Sequence, residues 1–222
     1  MRDLSNISIL IGTPAYNGMC CSQYTESLIY TFALLSQFNV KFEVKFINNQ
    51  IVTRARNMIC SIFMENESFT HLLFIDADIK WNPRDVVKLL NHDLECSIGI
   101  YPNKAYHKIN NVLTLYPSSV LENTRDECNN LVKISRAATG FMLLKKSALT
   151  KIQNSIETFY LPDSEGKQIL LYNYFDCNVV DNDYLTEDYY FSYLLIKNGG
   201  EIWADKSIRL IHIGNHNYGE LL

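Results

Sequence analysis

His71-Leu72-Leu73-Phe74-Ile75-Asp76-Ala77-Asp78 joins an apolar run to a pair of aspartates. The run at residues 71–75 is short and fully hydrophobic after its first residue, as in a strand buried on both faces. Residues two apart in a strand point to the same side, so Asp76 and Asp78 are expected side by side just beyond it. Two neighbouring carboxylates repel each other, and a cation between them resolves that repulsion. Oxygen ligands of this kind suit Mg²⁺ or Mn²⁺.

Strand and helix patterns alternate around this stretch. The first half of the chain predicts strands at residues 7–11, 41–46, 71–75 and 95–101, and helices at residues 22–37, 52–65 and from Pro83, which Asn82 caps. Such alternation predicts an α/β fold with a mostly parallel sheet covered by helices. Ligands of these sheets bind beyond the carboxyl ends of the strands, where residues 13–17, 76–78 and 101–104 fall.

The second half of the chain is less regular. Strands are predicted at residues 141–144, 201–204 and 209–213, a helical turn or two at 147–152, and a helix that runs from the N-cap Thr186 to Lys197. Residues 155–185 show no clear periodicity, so we expect a long polar and aromatic loop, which is often functional.

Composition and charge narrow the class of protein. The 222 residues are 47% hydrophobic and 20% charged, which suits one α/β domain over residues 1–222. A net charge of −4 without a basic stripe argues against nucleic-acid binding. No segment approaches the ~20 apolar residues of a membrane span, and the first residues do not form a signal peptide. Six cysteines without a CxxC pair indicate reduced thiols in a cytosolic compartment.

The chain is rich in tyrosine, with 14 in total. Several of them cluster late in the sequence: Tyr160, Tyr172, Tyr174, Tyr184, Tyr189, Tyr190 and Tyr193. A tyrosine offers a flat apolar face and a hydroxyl group, which suits sugar binding, but ordinary packing in the core explains each of them equally well.

Residues 73–78 resemble the metal-binding segment of GT-A glycosyltransferases. Four further segments resemble the family in the same order along nearly the whole chain: residues 11–17 (nucleotide loop), 54–57 (basic helix start), 138–146 (strand under the acceptor site) and 186–191 (Glu-Asp segment of inverting members). Small glycosyltransferases of large algal DNA viruses, of the chlorella virus type, are similar. The resemblance implies the GT-A fold, with a nucleotide-sugar half at residues 1–104 and an acceptor half at residues 105–222.

The resemblance also implies a nucleotide-sugar site. Its residues would be Thr13, Pro14, Ala15, Tyr16, Asn17, Arg54, Asp76, Ala77 and Lys104, with the first loop against a uridine. Positive side chains stabilise the charge that develops on a departing diphosphate, and Arg54 or Arg56, Lys104 and Lys108 are candidates. Each of them is also explained as an ordinary surface charge.

The implied metal ligands are Asp76, Asp78 and His212, with Asp76 reaching either the donor ribose or a metal-bound water. Imidazole fits Mn²⁺ better than Mg²⁺, so His212 favours Mn²⁺ as the cofactor. The alternative is a core histidine on an apolar strand, with His216 as the ligand in its place.

The implied catalytic residues are Glu187 and Asp188. An acceptor hydroxyl must lose its proton, and Asp188 is placed to be the general base of an inverting enzyme. Both carboxylates fall in the first turn of a predicted helix, where a negative charge is favoured for structural reasons alone. A retaining reaction would make Asp188 a substrate contact.

The predicted reaction is metal-dependent transfer of a hexose or deoxyhexose from a UDP-sugar to a glycan acceptor, in the cytoplasm of a host cell if the protein is viral. Guanosine and thymidine donors remain open. A sugar nucleotidyltransferase is the first alternative, but the loop at residues 12–18 lacks the glycine density and the arginine that would cradle a triphosphate. An Asp-x-Asp phosphatase, with the motif after its first strand, and a non-catalytic binding module are the others. The chain stops soon after its histidines, which leaves open a catalytic domain of a longer protein.

Overall fold

The computed structural model describes residues 2–109, 112–121, 130–162 and 165–219. The helices are α1 (Ser22–Gln37), α2 (Val52–Glu65), α3 (Pro83–His92), α4 (Lys146–Ile152) and α5 (Glu187–Lys197). The strands are β1 (Ser8–Pro14), β2 (Lys41–Ile47), β3 (His71–Ile75), β4 (Ile79–Lys80), β5 (Cys96–Gly99), β6 (Pro102–Ile109), β7 (Val112–Pro117), β8 (Val120–Leu121), β9 (Leu131–Arg136), β10 (Phe141–Lys145), β11 (Thr158–Pro162), β12 (Gln168–Tyr172), β13 (Asn178–Val180), β14 (Asp183–Leu185), β15 (Trp203–Asp205), β16 (Ile211–Ile213) and β17 (Asn217–Tyr218).

The central sheet has eight strands in the order β2-β1-β3-β10-β5-β15-β9-β8. The ladders of β1 with β2, β1 with β3, and β5 with β15 are parallel. β10 and β9 run against their neighbours, so the other six strands share one direction. The mixed α/β class with a mainly parallel sheet is therefore confirmed.

Helices cover the sheet on both faces. Residues of β3 alternate between two buried clusters, with Leu73 and Ile75 in one and Leu72 and Phe74 in the other. The first cluster also holds buried side chains of α1 and α3, and the second those of α2, α4 and α5. Because β3 is covered on both faces, it tolerates apolar residues at every position, which accounts for the continuous run in the sequence.

The long loop expected at residues 155–185 is a wrong prediction for much of its length. Two antiparallel hairpins form there, β11 with β12 and β13 with β14. In the second hairpin Val180 pairs with Asp183, and the two residues between them, Asp181 and Asn182, have positive φ angles of 50° and 65°. Two consecutive left-handed residues make a type I′ turn, which Asp and Asn tolerate better than most side chains. The Asp-Asn pair is the signal that the periodicity analysis missed.

A short ladder brings the last strands next to the Asp-x-Asp segment. β4, β16 and β17 form a three-stranded sheet in which His212 lies opposite Ile79. Ile213 N–H also donates to the Asp78 carbonyl at 2.7 Å. The pairing fixes His212 beside Asp78, although the two residues are far apart in sequence.

Two further observations bear on the sequence expectations. None of the helices in the described ranges is long and apolar enough to cross a membrane. The cysteines within those ranges, Cys20, Cys21, Cys60, Cys96 and Cys177, are free thiols, and Cys128 lies outside the described residues.

We expect His71 to make the fold sensitive to acid. Its side chain is buried at the start of β3, and burial, helped by Lys145 and Arg2, lowers its pKa from 6.5 to about 4. Between pH 6.5 and about 4, the unfolded chain therefore binds a proton at this histidine and the folded chain does not. The free energy of unfolding consequently falls as the pH drops through this range. The loss should reach about 3 kcal/mol, since each pKa unit is worth about 1.4 kcal/mol.

Urea denaturation of the wild type and of His71→Asn, at about pH 7 and about pH 4.5, measures this effect. Asparagine stays neutral and keeps a polar atom near Thr70, whose hydroxyl lies 2.8 Å from His71 Nδ1. The variant should lose clearly less stability on acidification than the wild type. Equal losses in both proteins would show that His71 is not the group responsible.

Candidate active site

A cavity of about 620 Å³ opens beyond the carboxyl ends of β1 and β3. The residues that line it come from the loop after β1, the start of α2, the Asp-x-Asp segment and the strand β16: Pro14, Tyr16, Arg56, Asp76, Ala77, Asp78 and His212. Cys20, Cys21, Asn49 and Gln50 also line it, and nothing in the sequence had singled them out as site residues. The cavity lies where an α/β sheet is expected to bind its ligands.

The other residues expected to bind the nucleotide lie outside this lining. Thr13 is fully buried, with its hydroxyl 2.6 Å from the Tyr24 hydroxyl, and Ala15 is 1% exposed. Asn17 has a φ of 54° in the short 3₁₀ turn that shapes the loop. Thr13 and Ala15 are therefore buried next to the lining residue Pro14, whereas Asn17 is exposed.

Arg54 points away from the cavity. It is exposed, whereas Arg56 is buried and lines the cavity. Residues two apart on a helix are separated by about 200° around its axis, so only one of the two arginines can face the site. The structure corrects the assignment of Arg54 and places Arg56 in that position. Lys104 reaches the site from β6, and the side chain of Lys108 lies outside the described residues.

Asp76 and Asp78 both line the cavity, but their carboxylates have different partners. β3 ends at Ile75, and Ile79 N–H donates to the Asp76 carbonyl at 3.1 Å, so the chain turns at once. Strand alternation does not continue through that turn. Asp76 contacts Arg56 at 3.3 Å, while Asp78 contacts His212 and Lys104.

Asp78 and His212 form the pair best suited to a cation. His212 Nδ1 lies 2.9 Å from the Pro102 carbonyl oxygen, a contact that requires a hydrogen on Nδ1. In the neutral ring Nε2 is then an acceptor, and it faces Asp78 Oδ1, a second acceptor, at 3.4 Å. Either a proton on Nε2, which His212 then donates to Asp78, or a metal cation between the two atoms makes this contact favourable. A carbonyl that fixes the tautomer in this way is typical of metal-binding histidines.

Lys104 neutralises the other side of Asp78. Its ammonium contacts Asp78 Oδ2, and its stem packs against Gly214, where an added Cβ would lie 3.1 Å from Lys104 Cδ. Burial raises the pKa of Asp78, but the hydrogen bonds from His212 and Lys104 outweigh burial and leave the pKa below its usual value. Asp78 is therefore held as a carboxylate, the form that binds a cation.

Protein side chains alone supply few ligands here. Across the described ranges no group of three His, Cys, Asp or Glu side chains is arranged to hold a metal ion. One carboxylate and one imidazole still fit a divalent cation that takes its remaining ligands from phosphate oxygens and water.

Arg56 links the Asp-x-Asp segment to the start of α5. Its guanidinium contacts Thr139 and Asp76, and its Nε lies 3.6 Å from Glu187 Oε1. Burial opposes the charge on Arg56, but the carboxylates of Asp76 and Glu187 outweigh it and raise the pKa above its usual value. The side chain also lies near the rings of Phe74 and Phe175, about 6 Å from each centroid.

Glu187 and Asp188 have different environments although they are adjacent. Glu187 is engaged by Arg56, whereas Asp188 Oδ1 accepts hydrogen bonds from the Thr186 hydroxyl and from Tyr189 N–H. Both of these hydrogen bonds are to Oδ1 and not to Oδ2. Thr186 takes the N-cap position as predicted, but its hydroxyl donates a hydrogen bond to Asp188 and does not cap the helix. Burial raises the pKa of both carboxyl groups.

Tyr101 and Gly140 complete the site, and Tyr101 was not predicted. The Tyr101 hydroxyl accepts a hydrogen bond from Gly140 N–H at 3.0 Å, and its ring packs edge-on against His212. A Cβ on Gly140 would lie 2.5 Å from that hydroxyl and 2.9 Å from Asp76 Oδ2. Only glycine fits there, which explains why a glycine precedes β10.

No protein-family model and no curated protein matches the sequence. Among solved structures, protein A197 from STIV is similar over 94% of this chain and 86% of its own, with 15% identity and a TM-score of 0.52. A mutant of Drosophila β-1,4-galactosyltransferase 7, in complex with manganese, UDP-Gal and xylobiose, aligns over 97% of this chain and 71% of its own, with 8% identity and a TM-score of 0.47. A glycosyltransferase involved in glycosylation of the major capsid of PBCV-1 aligns over 65% and 61%, with 13% identity and a TM-score of 0.36.

Sugar nucleotidyltransferases are also among the similar structures. At such low sequence identities, the similarity to these structures establishes only a shared fold. The GT-A fold implied by the sequence is confirmed, and glycosyltransferases of that fold, one from the chlorella virus PBCV-1, are among the chains similar to this one.

Proposed function

We propose that this chain is a metal-dependent glycosyltransferase that moves a sugar from a nucleoside diphosphate, with UDP as the first candidate, to a glycan acceptor. The observation that carries the proposal is the joint lining of one cavity by Asp78 and His212 at its cation-binding end and by Arg56 beside them. A metal cation held by Asp78 and His212, together with a buried guanidinium, would suit a diphosphate. The residues that meet in the cavity come from both halves of the chain.

A hexose or deoxyhexose as the transferred group, and a host-cell cytoplasm as the location, belong to the same proposal. The free thiols of the described cysteines support a reducing compartment. The exposed tyrosines of the second half, Tyr160 and Tyr184, support a glycan as the acceptor.

The residues divide the chemistry between them. Asp78 and His212 would hold Mn²⁺ or Mg²⁺, which as a Lewis acid neutralises charge on the departing diphosphate. Lys104 can turn from Asp78 towards that diphosphate, because its side chain is partly exposed. Arg56 keeps Asp76 in place beside the donor. Asp188 takes the proton of the acceptor hydroxyl.

A thermal-shift experiment with UDP, GDP, dTDP and ATP, each with and without Mn²⁺, tests the proposal. A ligand present at about 100 times its dissociation constant adds about 2.7 kcal/mol. For a chain of this length that corresponds to a rise of roughly 5–10 °C in Tm. We expect this rise with UDP only when Mn²⁺ is present. A response to ATP alone would favour nucleotidyl transfer, and no response to any diphosphate would contradict the proposal.

The variant Asp78→Asn tests the metal site directly. It keeps the shape of the side chain but removes the charge, so the Mn²⁺-dependent part of the UDP effect should disappear. Asp3→Asn, at an exposed aspartate before β1 that lines neither cavity, is the matched control and should respond like the wild type. Equal Mn²⁺ dependence in both variants would show that Asp78 is not a metal ligand.

A further inference from the structure

A second cavity, of about 650 Å³, lies between the β13–β14 hairpin, α5 and the end of β9. Its wall includes Tyr189, the residue that follows Asp188 in α5. The Tyr189 hydroxyl donates to the Ser118 carbonyl at 2.8 Å, and Ser118 N–H donates to the Tyr101 carbonyl at 2.9 Å. The cavity is therefore joined by hydrogen bonds, through Tyr189 and Ser118, to Tyr101, the residue that packs on His212.

One face of α5 is devoted to this cavity. Four residues at helical spacing line it: Tyr189, Tyr193, Ile196 and Lys197. A different face of the same helix carries the buried core residues Phe191, Leu194 and Leu195. A helix that needed only to cover the sheet would have polar residues opposite its core face. Tyr193 packs against that core as well as lining the cavity, whereas Tyr189 lines the cavity.

Charges in the cavity balance. Two carboxylates, Asp181 and Asp183, and two cations, Arg136 and Lys197, line it. Arg136 pairs with Asp183 and also lies over the Tyr189 ring, 5.7 Å from its centroid. Lys197 lies over the Tyr193 ring at 5.3 Å. A ligand with a net charge would gain little from this arrangement, whereas a ligand with many hydroxyl groups finds both donors and acceptors.

We propose that this second cavity is the acceptor subsite and binds an uncharged carbohydrate. The inference rests on the proposed function and names the chemistry of its acceptor. Apolar C–H faces of a sugar would pack on Val180 and Ile196, which line the cavity beside the charged groups. The volume lies within the range of about 300–1,000 Å³ typical of small-molecule sites.

Saturation-transfer NMR with methyl glycosides of glucose, galactose, mannose and xylose tests the proposal, with methyl glucuronide as the charged probe. Ile196→Trp fills the cavity from a side chain that is 40% exposed, so the core is spared. Ile29→Trp is the matched control, since Ile29 is 59% exposed on α1. We expect at least one neutral glycoside to bind the wild type and Ile29→Trp, and to bind Ile196→Trp about ten-fold more weakly.

Asp181→Asn is a second variant that avoids added bulk. Asp181 has a φ of 50°, which asparagine tolerates, so a weaker glycoside signal would report the lost carboxylate. UDP with Mn²⁺ should stabilise every variant as it does the wild type. Failure of UDP to bind the wild type would count against the proposed function alone. Equal glycoside binding by Ile196→Trp and wild type, binding of the glucuronide only, or binding of no glycoside would overturn the inference.

Discussion

Asp188→Asn should lower the rate of sugar transfer by about 10³-fold, within the range of roughly 10²–10⁴ that general base catalysis contributes. Asparagine keeps the size of the side chain and can still accept hydrogen bonds from Thr186 and Tyr189 N–H, which hold Oδ1 in the wild type. The local structure is therefore preserved, and only the proton acceptor is lost. UDP release from the donor, with water or a glycoside as the acceptor, gives the rate. The dissociation constant of UDP with Mn²⁺ should stay within about two-fold of the wild type.

Glu187→Gln separates the roles of the two adjacent carboxylates. Glu187 Oε1 lies 3.6 Å from Arg56 Nε, so this carboxylate is already engaged by a guanidinium. Its loss should reduce transfer far less than the loss of Asp188. A transfer rate within about ten-fold of wild type for Asp188→Asn, or a product that retains the anomeric configuration, would rule Asp188 out as the base.

The acid side of the pH profile offers an independent check on Asp188. Burial raises the pKa of this carboxyl, so the base should become protonated at a higher pH than an ordinary aspartate would. The rate should consequently fall on acidification at a pH above the usual aspartate range. Asp188→Asn should lose this acidic limb.

Arg56→Met should destabilise the fold by about 3–5 kcal/mol, the usual cost of removing one partner from a buried charge cluster. The Arg56 side chain is 5% exposed, and its Asp76 and Glu187 partners are 24% and 15% exposed. Methionine fills much of the same volume but leaves two carboxylates without their cation. Urea denaturation at neutral pH measures the difference.

Arg54→Met is the matched control for that experiment, since it makes the same substitution two residues away on the exposed face of α2. It should change stability by less than about 0.5 kcal/mol. Adding Glu187→Gln to Arg56→Met should restore part of the loss, because one unpaired charge is removed with its partner. Similar effects of Arg54→Met and Arg56→Met would contradict the assigned contacts.

The sequence predicted the regular part of the fold well because its signals are local. The helices at residues 22–37, 52–65 and 187–197 agree with the structure, since apolar periodicity and the N-terminal boundary lie within each segment. The hairpins at residues 158–185 were missed because short, mostly exposed strands carry little apolar alternation. Their best signal was the turn at Asp181 and Asn182.

The candidate site was predictable in its composition and not in its geometry. The resemblance to GT-A glycosyltransferases predicted Asp78 and His212 as site residues. The contact between them, however, depends on the pairing of β4 with β16, which are far apart in sequence. The different partners of Asp76 and Asp78 were not predictable either, because a turn starts where β3 ends. Which of Arg54 and Arg56 faces the cavity depends on the orientation of α2 about its axis. Tyr101 was missed because its partner Gly140 is close in space but distant in sequence.

The ladder that ties β16 to β4 also has a consequence for biosynthesis. The Asp-x-Asp segment leaves the ribosome long before His212 does, and long-range strand pairing is a slow step in folding. During synthesis, the nascent chain therefore contains the other residues that line the first cavity before it contains His212. The contact between Asp78 and His212 can form only after β16 has been synthesised and has paired with β4.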